Sequence, residues 1–133
     1  MNVSYIDCSP FVRALFTPDL AAVVPDLTIH LEDPRSEVEL VARMVGAGVV
    51  LNGHTAMPAR VLLQCPTLRS VVFLGTGASS YIDLEAAAAL GIAVRTVPGY
   101  GDRAVAEHAM ALMLAAARRV TAMDRAVGAR GRH

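Results

Sequence analysis

Apolar positions recur along this chain in short runs of about four to six, each followed by residues at helical spacing, and that alternation predicts five strand–helix pairs. Val3 to Ile6 is the first strand. Pro10 with Phe11, Val12, Leu15 and Phe16 then predicts a helix carrying proline in its first turn, interrupted at Pro18 and resumed over Leu20 to Val24. The β-rich alternation of Leu27 to Leu31 is the second strand. Ser36 caps a helix over Glu37 to Val45, where Val38, Val41 and Val45 fall at helical spacing before Gly46 and Gly48 end the element. Gly48 to Asn52 is the third strand, followed by the polar loop Gly53-His54-Thr55 and a short helix with Ala59, Val61, Leu62 and Leu63. Ser70 to Leu74 is the fourth, breaking into Gly75-Thr76-Gly77-Ala78-Ser79-Ser80, after which Asp83 caps an Ala-rich helix from Leu84 to Leu90. Ile92 to Val97 is the fifth strand, Pro98 to Gly101 a turn, and Asp102 caps the longest helix, from about Arg103 to Met123.

Strands separated by helices imply a parallel sheet covered on both faces. The expectation is an α/β domain of flavodoxin-like type, a doubly wound five-stranded parallel sheet spanning residues 1–123. Residues 124–133, with three Arg, two Gly and little apolar content, are expected to be a frayed tail or a severed interdomain connection.

Composition narrows the function classes. The hydrophobic share is 54% but only 5% of the chain is aromatic, so the excess is Ala-rich and points to closely packed helices. The longest apolar run, Ala109 to Ala117, has nine residues against the ~20 that span a bilayer. Twelve acidic and twelve basic residues balance, every basic one being Arg, which argues against a nucleic-acid partner. The first residues lack a signal peptide's basic flank and apolar core, so the expected location is cytoplasmic. Cys8 and Cys65 form no CxxC motif or zinc set and are expected to be buried free thiols.

Candidate chemistry gathers at the carboxyl ends of strands three, four and five, the edge of an open α/β sheet where ligands bind. The Gly75 loop follows a strand and precedes a helix, yet it departs from a dinucleotide fingerprint: Ser80 stands where the third glycine belongs, and Arg95 and Thr96 stand where an acid should meet the ribose. A small anion held by the amides of Thr76 to Ser79 suits it better, and a tight ligand-free turn is the plain alternative. Asn52, Gly53, His54 and Thr55 share that edge. His54 is either a donor to a substrate oxygen or an ordinary surface histidine, with no orienting carboxylate evident in the sequence. Arg103, beside Tyr100, either pairs with a ligand carboxylate or with Glu107 four residues on. Between Val105 and Ala117 only Glu107 and His108 are polar, so that helix must be buried between layers or lie against another domain or subunit. Glu107 and His108 are read as a buried pair ordering the helix start, with a catalytic role as the alternative, and Arg118 and Arg119 suit the helix's negative end.

Leu68 to Gly77, Ile82-Asp83-Leu84, Gly91 to Val94, Val97 to Tyr100 and Val105 to His108 together resemble the catalytic, or substrate, domain of the D-isomer-specific 2-hydroxyacid dehydrogenases. The likeness is good from about Val50 to Arg119. It implies a flavodoxin-like fold in which Gly75, Thr76, Gly77 and Ala78 receive the substrate carboxylate through backbone amides and Asn52, Gly53 and His54 line the cleft. It also implies NAD-dependent interconversion of a 2-oxo and a 2-hydroxy acid. The sequence departs from the family pattern at Ser79 and Ser80, which replace an Asp and lengthen the loop, and at Gly101, where a polar residue is usual. The family's nucleotide domain, with its cofactor fingerprint and catalytic Arg, acid and His, would follow. The leading expectation is thus a detached or truncated substrate domain, inactive alone and binding no NAD by itself. The alternatives are half of an enzyme completed in trans and a non-enzymatic small-carboxylate module. A homodimer or a nucleotide-domain partner is expected to dock on the helix from Val105 to Ala117.

Overall fold

The computed structural model describes residues 2–130, in two compact units that meet in sequence between Pro98 and Gly99. The first unit holds strands β1 (Val3–Tyr5), β2 (Leu27–Ile29), β3 (Val49–Asn52), β4 (Ser70–Phe73) and β5 (Ala93–Arg95). Helices α1 (Pro10–Arg13) and α2 (Pro18–Val23) join β1 to β2. Helices α3 (Glu37–Met44), α4 (Ala59–Leu62) and α5 (Leu84–Ala89) follow β2, β3 and β4, with a 3-10 turn over Ala78–Ser80 before α5. All pairings are parallel and the order is β2-β1-β3-β4-β5, the doubly wound arrangement expected from the sequence.

Alternation along the strands sorts the residues between two faces. Ser4, Val50 and Val71 lie in register and are buried. With Ile6 and Phe73, Val50 and Val71 meet Leu40 and Met44 of α3, Val61 and Leu62 of α4 and Ala87 of α5 in one core. On the opposite face Tyr5 packs near Phe16, their ring centroids 6.3 Å apart, and Leu27 and Ile29 line a small cavity with Phe16, Ala21 and Val24. Cys8 and Cys65 are buried free thiols, both held above the ordinary thiol range by that burial.

Local chemistry sets the helix ends. Ser36 Oγ accepts from the Glu39 amide at 3.2 Å and Asp83 Oδ1 from the Ala86 amide at 3.0 Å, both as expected. Pro18 does not interrupt a helix but begins one, with Thr17 Oγ1 accepting from the Leu20 amide at 3.3 Å. Its missing N–H costs nothing at the first helical position. After α3 the chain turns at Gly46, whose φ of +81° is a left-handed value that a side chain would resist.

The second unit contains α6 (Asp102–Ala117) and α7 (Val120–Arg130). Three expectations are corrected here. Asp102 is not the cap of α6 but its first residue; Gly101 is the cap, and no side chain caps that end. The single helix to Met123 is broken, because Arg119 adopts a left-handed φ of +52° after Arg118 caps α6, and α7 then carries residues 124–130 in helix rather than a frayed end. Residues 131–133 of the expected tail lie outside the described residues. None of the described helices is long and apolar enough to cross a membrane.

Candidate functional site

In a sheet of this order the switch point lies between β1 and β3, where one connection winds outward to β2 and the next returns to the other side. The residue after the β1 run there is Asp7, whose side chain is fully buried. Its Oδ1 accepts from the Gly53 amide at 2.8 Å. Its Oδ2 accepts from the amides of His54 at 2.8 Å and Thr55 at 2.9 Å and from Thr55 Oγ1 at 2.8 Å. A buried carboxylate with this many donors is well compensated for its lost hydration, and one acid thereby clamps the whole loop after β3. A Cβ at Gly53 would crowd the clamp, standing 3.3 Å from Asp7 Oδ1.

Asn52, fully buried, closes the same loop from within. Its Nδ2 donates to the Thr55 carbonyl and its Oδ1 accepts from the Thr55 amide, both at 2.9 Å. The side chain is committed to the loop. His54 is half-exposed and stands between two acids, with Nδ1 3.7 Å from Asp7 Oδ2 and Nε2 2.9 Å from Asp33 Oδ1. The orienting carboxylates that sequence reasoning did not find are thus Asp7 and Asp33, which follow β1 and β2. The available signal was an acid directly after an apolar strand, since parallel strands end on one edge. Arg43, almost buried on α3, supports this corner by donating to the carbonyls of Ile6 and Glu32 while pairing with Glu39.

Next along the edge comes the loop after β4. Leu74 donates its amide to the Asn52 carbonyl at 2.8 Å, so this loop starts against the one after β3. Its carbonyls are engaged: Gly75 O accepts from Val97, Gly77 O from Ser80, and Ala78 O from Tyr81 and Ile82. Among the described residues, none accepts a hydrogen bond from the amides of Gly75, Thr76, Gly77, Ala78 or Ser79. Gly75 is required sterically, because a Cβ would stand 2.7 Å from Cε1 of Phe73, whose ring is stacked on Tyr81 at 5.2 Å. The loop offers N–H groups to an anion but not a pyrophosphate cradle. A 3-10 turn intervenes before α5 starts at Leu84, and exposed Arg95 ends β5 where a ribose-binding acid would stand, so these residues do not fit a nicotinamide dinucleotide.

A cavity of about 300 Å³ opens between Tyr5, Asp7 and Val12 on one side and Gly53, His54 and Leu74 on the other. Burial, with neighbouring Cys8 and Asp7, pushes the Tyr5 phenol up to about 12, so it is a neutral wall at ordinary pH. A larger cavity of about 560 Å³ runs past Ser4, Thr28 and His30 toward Gly46 and Ala47. Most of its lining comes from the amino ends of β1 and β2 and the turn after α3. Among the described residues no group of three or more His, Cys, Asp or Glu could hold a metal ion.

Tyr100 and Arg103 belong to the second unit and are exposed. Arg103 Nε lies 2.7 Å from Glu107 Oε1, the intrahelical pairing that the spacing allows. Glu107 and His108 are exposed rather than a buried pair, because α6 as a whole buries no residue. Val105, Met110, Leu112, Met113 and Leu114 are all more than half-exposed.

The profile of the D-isomer specific 2-hydroxyacid dehydrogenase catalytic domain matches residues 10–128. A hydroxypyruvate reductase of Blautia hydrogenotrophica is 37% identical over 76 residues, 57% of this chain and 23% of that protein. A D-3-phosphoglycerate dehydrogenase of Archaeoglobus fulgidus is 34% identical over 102 residues, 76% of this chain and 19% of that protein. The chain therefore spans about a fifth of the length of these curated relatives. Among solved structures, an acyclic imino acid reductase in complex with NADPH and D-Arg superposes with a TM-score of 0.85 at 23% identity, over 100% of this chain and 42% of that one, a likeness of fold.

Proposed function

The chain belongs to the D-isomer specific 2-hydroxyacid dehydrogenase family, over that family's catalytic domain, and from that premise we propose that it is the substrate-recognising part of a 2-oxo acid/2-hydroxy acid oxidoreductase. One observation carries the reading: the run of unspent amides from Gly75 to Ser79 at the carboxyl end of β4. Gly75, Thr76, Gly77 and Ala78 hold the substrate carboxylate through their N–H groups. Gly53 and His54 line the cleft beside it, and Asn52 acts by fixing the loop that carries them.

In a dehydrogenase of this class the nicotinamide cofactor supplies or accepts the hydride. The Gly75 loop does not fit that cofactor, so this chain alone binds substrate without turning it over, and hydride transfer needs a separate nucleotide-binding domain. The exposed apolar side chains between Val105 and Ala117 support reading α6 as a surface for such a domain or for a second copy. The relatives' names include both phosphorylated and unphosphorylated substrates, so the family leaves the substrate open.

The test is an NADH fluorescence titration of the pure chain, followed in the same cuvette by a panel of 2-oxo acids. No NADH binding, together with 2-oxo acid shifts of the Gly75 to Ala78 amide resonances, is the expected result. NADH oxidation by the chain alone would overturn the division of labour. Light scattering checks the surface: a dilute monomer without a partner would count against α6 as a self-association site.

A further inference from the structure

Resting on the reading of the Gly75 loop as the carboxylate site, we infer that the switch-point cavity takes the C3 substituent of the bound 2-oxo acid and that the Asp7, His54 and Asp33 corner selects against a phosphorylated substituent. Position comes first. Leu74 lines the cavity, and the next residue opens the amide run, so a carboxylate on that run places the adjoining carbons of a short acid at the cavity mouth. At about 300 Å³ the cavity has room for such a substituent.

Charge then decides its kind. Asp7 lines the cavity and no Arg does, and the Asp7 carboxylate is buried just behind it. The ring of His54 is held on both nitrogens' sides by acids, at 3.7 Å and 2.9 Å, so its capacity to meet an anion is already engaged. Of the guanidinium groups near this corner, Arg35 pairs with Glu32 and Arg43 with Glu39. A phosphate dianion at the His54 rim would stand near two carboxylates, an arrangement that costs more than it gains. A hydroxyl can donate to Asp33, and a hydrogen or methyl can rest on Tyr5, Val12 and Leu74.

The experiment is a pair of amide-resonance titrations of the 133-residue chain, with hydroxypyruvate and with 3-phosphohydroxypyruvate, which differ by one phosphoryl group. Hydroxypyruvate is expected to shift the amides of Gly75 to Ala78 together with those of Gly53 and His54, and to bind at least about tenfold tighter. The Asp33→Asn variant, changed at an exposed side chain, is expected to narrow the ratio by about threefold through a gain for the phosphorylated acid. Equal or tighter binding of the phosphorylated acid, or an unchanged ratio in Asp33→Asn, overturns the selection while leaving the carboxylate site standing. If neither acid moves the Gly75 to Ala78 amides, the functional reading fails and this inference with it.

Discussion

The loops after β3 and β4 are neighbours on one edge of the sheet and are fixed by opposite means. Residues 53–55 spend their amides on the Asp7 carboxylate, a side chain from a different strand connection. Residues 75–79 are held through carbonyl oxygens and the Phe73 ring, and their amides remain unspent among the described residues. The first loop is thereby a rigid carrier for a side chain, His54, and the second a backbone surface for an anion. Under the proposed reading, recognition at this edge divides between them, with charge met by backbone dipoles and shape and substituent by the side chains beside them.

The sharpest way to break the contrast is Asp7→Ala. Four donors lose one buried acceptor, which is expected to cost about 3 kcal/mol in urea unfolding and to disperse the Gly53, His54 and Thr55 amide resonances without moving those of residues 75–79 at low denaturant. Unchanged resonances for residues 53–55 would mean that the loop holds itself. Next in size is a pair on the second loop. Gly75→Ala must displace Phe73 and is expected to cost about 2 kcal/mol and to abolish carboxylate binding. Gly77→Ala meets only Ser80 Oγ at 4.0 Å and is expected to change stability by less than about 1 kcal/mol. Similar losses in the two variants would show that space at Gly75 is not the constraint.

Two pH effects bear on the carboxyl ends of β1 and β2, beside the first loop. The Tyr5 phenol, pushed up to about 12 by burial, keeps its proton in the folded state where the unfolded chain has lost it. Stability is therefore full below about pH 10 and falls by roughly 2 kcal/mol as pH rises toward 12, a fall that Tyr5→Phe removes. On the neighbouring strand end, where the His30 amide donates to the Tyr5 carbonyl at 2.9 Å, burial and Arg43 hold the His30 imidazole below its ordinary range. The unfolded chain then takes up the proton first, so stability present above about pH 6.5 is lost as pH falls through the folded value. His30→Gln is expected to flatten that acid limb, and an unaltered limb would assign it to other groups.

The alternating runs, the Ser36 and Asp83 caps and the Gly75 break were legible in the sequence because they follow from local rules: strand period, orphan helix amides, and the space that only glycine leaves. They determined a parallel α/β sheet with its loops on one edge, and with the family's ordered segments they pointed to the family. Asp7 and Asp33 could not be assigned from spacing alone. They lie 47 and 21 residues from His54 in the chain, and only the β2-β1-β3 order brings the ends of those three strands together. The commitment of Asn52 to Thr55 was hidden for a related reason, since burial decides whether a loop amide serves a ligand or the loop itself. The break at Arg119 escaped local reading because helix spacing continues through it, and nothing in residue type marks a non-glycine left-handed position. Local propensity therefore determined the elements and their polarity, whereas the sharing of one buried carboxylate by distant loops was decided by sheet order, a property of the assembled fold.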